Sequence, residues 1–157
     1  MTAKTHAGRT KPRGSTSALA LLESARLGLQ RCNNDPSAAS RLVTSQLAAL
    51  RTAAAIVAAR SDPRTTPLNE GPQSLWDLLP EVAPALSEWA VYFAVSPRPR
   101  QRAVWAWWHR AALRREADEF LRNAEAFFAL AASTLGVAET PGVVTPLPKS
   151  APSSPEW

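Results

Sequence analysis

The chain has 157 residues, of which 45% are hydrophobic, and a formal net charge of +5 at pH 7. That length suits one domain large enough to bury a core. A single cysteine and two histidines exclude an internal disulfide and the familiar structural zinc sites, and no glycine-rich phosphate loop or G-x-S-x-G nucleophile elbow is present.

The two ends of the chain are poor in apolar residues. Residues 1–16 hold four basic residues and no acid, and residues 136–157 hold five prolines among serine, threonine and small residues. Neither segment can bury enough apolar surface to offset the entropy lost on ordering. We therefore expect a disordered basic tail at 1–16, a folded helical domain at 17–135 and a disordered proline-rich tail at 136–157.

Four stretches repeat apolar residues in alternating steps of four and three, which lays one buried stripe along a helix. No stretch alternates with a period of two beside β-branched residues, so we expect no strands. The predicted stripes are Ala18, Leu22, Ala25, Leu29 and Cys32; Val43, Leu47, Leu50, Ala54 and Val57; Leu75, Leu79, Val82, Leu86, Trp89 and Phe93; and Leu113, Ala117, Phe120, Ala124, Phe127 and Ala131.

Capping residues flank these stripes. Residues 15–17 (Ser-Thr-Ser) offer N-caps for the first helix, and Asp35 followed by Pro36 predicts the start of the second. Ser74 is the predicted N-cap of the third helix. Gly136 follows the last apolar position of the fourth, where a C-cap glycine belongs.

Two prolines interrupt the third stripe. Pro80 and Pro84 each remove a backbone donor and clash with the carbonyl four residues back. We therefore expect a short helix at about 75–79 and a longer one at about 85–94. The resulting prediction is an all-α fold, an antiparallel up-and-down four-helix bundle whose third helix is broken by prolines.

Three segments carry a family resemblance: LAALRTAAAIVAAR in the second helix, SLWDLLPEVAPALSEWAVYFA in the third, and READEFLRNAEAFFAL in the fourth. Together they resemble an actinobacterial branch of the HEPN superfamily, whose small all-α domains are often associated with nucleotides and RNA. The resemblance covers residues 17–135. It implies RNA or a nucleotide as the ligand, and we expect a non-enzymatic binding or regulatory module that works as a homodimer.

The resemblance also implies an alternative, a metal-independent endoribonuclease. Many HEPN nucleases carry an arginine followed four to six residues later by a histidine, paired across a two-fold dimer. Arg102 and His109 enclose six residues here, and two helical turns would place them on one face. Arg102 would hold a phosphate and His109 would move a proton. Ala103 departs from the nuclease forms, which usually carry a polar residue after the arginine.

The basic stretch from residue 98 to 115 supplies the candidates for nucleic-acid contact. Its arginines suit phosphate, and an exposed tryptophan among them suits stacking on a base or a dimer interface. The candidate residues are Arg98, Arg100, Arg102, Trp107, Arg110 and Arg114.

The remaining expectations follow from what the sequence lacks. We expect no metal and no cofactor, no membrane span and a cytoplasmic location. A protein–protein adaptor with an unidentified partner is a further alternative function.

Overall fold

The structure, a computed structural model, describes residues 13–61, 74–95 and 110–137. Within these ranges every regular element is helical and no strand occurs, which confirms the all-α class. The elements are α1 (Arg13–Asn34), α2 (Ala38–Arg60), α3 (Leu75–Val82), a 3₁₀ turn (Pro84–Leu86), α4 (Ser87–Ala94) and α5 (Arg110–Thr134).

Helix α1 buries the stripe that its sequence predicts. All five stripe residues, from Ala18 to Cys32, are at most 5% exposed. The predicted caps at residues 15–17 are wrong, because α1 already begins at Arg13 and runs through them. Serine and threonine inside a helix cost only a few tenths of a kcal/mol, so three of them do not stop it.

Helix α2 buries a different face from the predicted one. Val43, Leu47 and Leu50 are 47%, 41% and 41% exposed, so the predicted stripe is wrong over its first half. Small side chains dominate the inward face because they allow neighbouring backbones to approach closely. The inward residues include Leu42, Ser45, Ala49, Thr52, Ala53 and Ile56.

The two buried hydroxyls on α2 are satisfied within the helix itself. Ser45 donates to the carbonyl of Leu42 at 3.0 Å, and Thr52 donates to that of Ala48 at 2.9 Å. Each therefore packs as a small residue at no cost in lost hydrogen bonds.

The start of α2 is capped two residues later than predicted. Ser37, rather than Asp35, is the N-cap, and its hydroxyl accepts from the backbone N–H of Ser40 at 3.3 Å. Asp35 instead accepts from the N–H of Ser37 at 2.8 Å. Hydrogen bonds to the Asp35 carboxylate, from the side chain of Ser40 and from the backbone N–H of Ser37, lower the pKa of that carboxyl.

As predicted, the third stripe is divided between two helices, α3 and α4. Helix α3 continues past Pro80, and the N–H of Ala83 still donates to the carbonyl of Leu79 at 2.9 Å, so the predicted break at Pro80 is wrong. The break lies at Ala83, whose φ of −145° and ψ of 75° leave the helical region. Pro84 disfavours the helical conformation of the residue before it, which explains the position. As predicted, Ser74 caps α3.

Helices α3 and α4 fold back on each other. The ring of Trp76 stacks on that of Phe93 with centroids 5.2 Å apart. In one continuous helix these two residues would be about 25 Å apart. The described residues therefore form five α-helices, and the predicted four-helix antiparallel arrangement is not confirmed.

An aromatic cluster joins α3, α4 and α5. Phe127 of α5 is completely buried, and its ring centroid lies 5.2 Å from that of Phe93 and 5.6 Å from that of Trp89. Trp76 approaches it at 6.3 Å. Offset and tilted aromatic contacts of this kind add to the apolar area that each ring buries.

The end of α5 confirms the predicted C-cap. Gly136 has a φ of 68°, a conformation that disfavours residues with a Cβ. Its N–H donates to the carbonyl of Ser133 at 3.1 Å, and the N–H of Val137 donates to that of Ala132 at 2.9 Å. This pair of bonds is a Schellman cap. Val137 then packs against the small cluster around Ala18.

Among the described helices, only α2 is long and apolar enough to cross a bilayer by length and composition. However, 44% of its most apolar window is buried inside the fold. A core helix passes the same test, so this finding is weak support for a membrane span.

We predict that Phe127→Ala lowers the free energy of unfolding by about 3–5 kcal/mol, because it leaves a cavity where three other rings meet. Urea denaturation followed by circular dichroism measures the change. Val91, which is 64% exposed on α4, supplies the control, and Val91→Ala should change stability by less than about 0.5 kcal/mol. Equal effects of the two substitutions would contradict the placement of the cluster.

Candidate nucleic-acid interface

The predicted site residues divide into two groups. Arg98, Arg100, Arg102, Trp107 and His109 lie outside the described residues, so the pairing of Arg102 with His109 stays a prediction. Arg110 and Arg114 lie on the first two turns of α5, and both are exposed.

Arg110, Arg114 and the neighbouring Arg115 form a basic face at the start of α5. Together with Ala111 they line an open depression, to which they contribute mainly carbon atoms. Arg110 and Arg114 are one turn apart, about 6 Å along the axis. None of the three makes an ion pair with another residue in the described ranges. The face therefore offers several guanidinium donors to a ligand.

Position within the helix increases the positive potential of this face. The first turn of α5 contains no acidic residue, and the amino end of a helix carries a partial positive charge. Like charges four residues apart are also unfavourable, by about 0.2–0.5 kcal/mol. This arrangement opposes folding slightly and favours a bound anion.

Asp118, one helical turn beyond Arg114 on α5, pairs with Arg41 of α2. The Nη2 group of Arg41 donates to Oδ1 of Asp118 at 2.8 Å, and its Nη1 group donates to the carbonyl of Asp35 at 3.0 Å. The Arg41 side chain is only 14% exposed, whereas that of Asp118 is 59% exposed. Arg41 thus links α2 both to α5 and to the residue that follows α1, and these contacts lie beside the basic face.

Sequence reasoning missed Arg41, although one signal was present. It is a cation in the first turn of a helix, where the helix dipole disfavours positive charge. Such a residue indicates a compensating partner elsewhere in the fold. Its distance from Asp118 in sequence, 77 positions, hides which partner that is.

Arg41 and Asp118 also show how two helices are oriented. Arg41, in the first turn of α2, contacts the first half of α5, and Ala55 and Ala58 near the end of α2 share a cluster with Phe128 and Leu135 at the end of α5, so the two helices run in the same direction. Helix α1, joined to α2 by only three residues, runs the opposite way. The basic face consequently lies at the end of the fold where α1 meets α2.

Cys32 lies at this same end but is not a candidate nucleophile. It is 1% exposed, and its thiol donates to the carbonyl of Arg41 at 3.6 Å. Burial raises the pKa of the Cys32 thiol, and the charges of Asp35 and Glu125 raise it further. A neutral, enclosed thiol reacts slowly.

Other polar chemistry in the described ranges is sparse. No group of three or more histidine, cysteine or acidic side chains there is arranged to hold a metal ion. Asn123, 9% exposed, donates through Nδ2 to the hydroxyl of Tyr92 at 2.8 Å. That bond ties α5 to α4 at the edge of the aromatic cluster.

We predict that Arg41→Ala lowers the free energy of unfolding by about 1 kcal/mol, because it removes a half-exposed ion pair and the bond to the Asp35 carbonyl. In Asp118→Asn the loss should be smaller, because the Asp35 bond persists. Arg122, an exposed arginine on α5, provides the matched control. If Arg122→Ala costs as much as Arg41→Ala, the link between α2 and α5 has no special role.

We also predict that Cys32 resists alkylation in the folded protein. Because its folded-state pKa is raised, its contribution to stability is complete below the unfolded-state pKa and is lost as pH rises through the folded-state pKa. Mass spectrometry after timed exposure to iodoacetamide at mildly alkaline pH measures the rate at which Cys32 is alkylated. Labelling as fast as in urea-unfolded protein would contradict the burial of Cys32.

One comparison with known proteins gives a match. The model of the SAV_6107-like HEPN family matches residues 32–132, which is well over half of the chain and includes α2, α3, α4 and most of α5. No curated protein and no solved structure matches the chain significantly. The chain belongs to the SAV_6107-like HEPN family.

Proposed function

We propose that this chain is a non-enzymatic HEPN module that binds RNA or a nucleotide and regulates through that binding. The observation that carries the proposal is the basic face of Arg110, Arg114 and Arg115 on the first turns of α5. These three cations are exposed and make no ion pair among the described residues, although each adds unfavourable charge to the amino end of a helix. A phosphate ligand would convert that cost into binding energy.

The proposal extends to the residues that precede this face in sequence. Arg98, Arg100 and Arg102 would add phosphate contacts, and Trp107 would stack on a base or on a second subunit. We propose that the module is a homodimer, that it lies in the cytoplasm, and that it uses no metal or cofactor. Membership of the HEPN family supports the association with RNA or nucleotides.

A metal-independent ribonuclease is the second candidate, and the spacing of Arg102 and His109 favours it. In that function Arg102 would clamp the phosphate, and His109 would take the proton of a ribose hydroxyl. The two candidates differ in one respect: cleavage requires His109, whereas binding depends on the arginines.

We predict that the chain retains single-stranded RNA in EDTA and that its affinity falls steeply with salt, as counterion release requires. Arg110→Gln combined with Arg114→Gln should weaken binding by about tenfold or more and reduce the salt slope by about 1.4, which is 0.7 per lost phosphate contact. Fluorescence anisotropy with end-labelled RNA at several salt concentrations measures both quantities. Arg122→Gln on the same helix is the control and should leave the slope unchanged.

His109→Ala, examined in the same experiment, separates the two candidates. RNA cleavage by the wild type but not by this variant would replace the binding module with a ribonuclease. Salt-sensitive retention of intact RNA by both proteins supports the binding module. No retention of RNA or nucleotide at any salt concentration would refute both and leave the adaptor function.

A further inference from the structure

The outer face of the α1–α2 pair is apolar and partly exposed. We define it by Leu27, Val43, Leu47 and Leu50, together with Arg31 and Arg51. The four aliphatic side chains are 40–47% exposed. Four such side chains on two adjacent helices exceed the single exposed apolar residues that are normal on a protein surface, and apolar patches mark interaction sites.

Close approach of the two helices aligns the leucines. A Cβ on Gly28 would lie 3.7 Å from the Cβ of Ala48, so these residues mark the crossing of α1 and α2. In each helix the leucine, Leu27 or Leu47, is one position before the crossing residue. Because the helices are antiparallel, this shared position places both leucines on the side of the pair that faces away from the core. They flank the crossing as a pair.

The outer face carries a net positive charge. Arg31 and Arg51 each follow the crossing residue of their own helix by three positions, which also places both on the outer side. Helix α2 contains no acidic residue. The single acid within α1, Glu23, pairs with Arg26 at 2.5 Å. Neither Arg31 nor Arg51 forms an ion pair within the described ranges.

We propose that the outer face of α1 and α2 docks an amphipathic helix of a partner protein whose apolar stripe is flanked by acidic residues. The leucine pair would receive the apolar stripe, because Gly28 and Ala48 at the crossing add little bulk between the two leucines. Arg31 and Arg51, at opposite ends of the leucine pair, would meet the acidic flanks. This surface is separate from the basic face of α5 and does not depend on RNA binding.

Charge also argues against a second copy of this chain as the occupant. Two outer faces brought together would confront Arg31 and Arg51 with their own copies, and Glu23, the one carboxylate on this side, is already paired with Arg26, so the charges would oppose association. Nucleic acid fits poorly as well, because the centre of the patch is aliphatic and offers no donor to phosphate. An acidic helix satisfies both the apolar centre and the cationic ends.

Two synthetic helical peptides with the same leucine stripe test the proposal on the full chain. One has glutamates flanking the stripe and the other has lysines at the same positions. We expect the glutamate peptide to bind at least about tenfold more tightly by fluorescence anisotropy, with the difference shrinking as salt rises. Leu27→Ser with Leu47→Ser should weaken binding about tenfold or more, and Arg31→Glu with Arg51→Glu should reverse the preference.

Val91→Ser is the matched control, because Val91 is exposed on α4 outside this face, and it should not alter peptide binding. Circular dichroism establishes that each variant is folded. Equal binding of the two peptides, no binding of either at millimolar concentration, or an equal loss in the Val91 variant would overturn the proposal. So would a wild-type dimer, or binding to phosphatidylserine vesicles, that Leu27→Ser with Leu47→Ser abolishes, because the occupant would then be a second copy or a lipid surface.

Discussion

The close approach of α2 to its neighbours is the constraint on which the rest of the structure depends. Alanine, serine and threonine occupy most of the inward face of α2, and the two buried hydroxyls are satisfied by carbonyls of the same helix. A face this smooth admits α1 and α5 without large side chains between the backbones. The larger aliphatic side chains of α2, Val43, Leu47 and Leu50, then point outward.

The other side of the fold uses the opposite strategy. Where α2 packs through small residues, the α3–α4 hairpin packs against α5 through large rings, with Phe93 and Phe127 in direct contact at 5.2 Å. Bulk on this side keeps the hairpin further from α5 than α1 and α2 are from each other. The closely packed α1–α2 pair therefore presents the apolar outer face, and the more widely spaced α3–α4 hairpin and α5 enclose the aromatic cluster. The basic face lies at one end, where Arg41 joins α2 to α5.

Sequence patterns predicted the elements whose signals are local. The stripe of α1, the Ser74 cap and the Gly136 cap depend on residues within a turn or two, and the structure confirms all three. The stripe of α2 failed because hydrophobicity alone ranks leucine above alanine as an inward residue, whereas close packing reverses that order. Of the candidate site residues, Arg110 and Arg114 lie in the described ranges. The partner of Arg41 cannot be identified from the sequence, because the contact depends on how α2 packs against α5.

The reversal at Ala83 and Pro84 has a consequence for how the chain folds. It brings Trp76 and Phe93 into contact across only 17 residues of sequence, and the three-residue connection between α1 and α2 makes their contacts short-range too. Short loops lose little entropy on closure, and a fold rich in such contacts forms quickly. The docking of α5 joins these two locally organised hairpins through contacts that are distant in sequence, since Arg41 and Asp118 are 77 positions apart. The docking of α5 would thus be the rate-limiting step in folding of the domain.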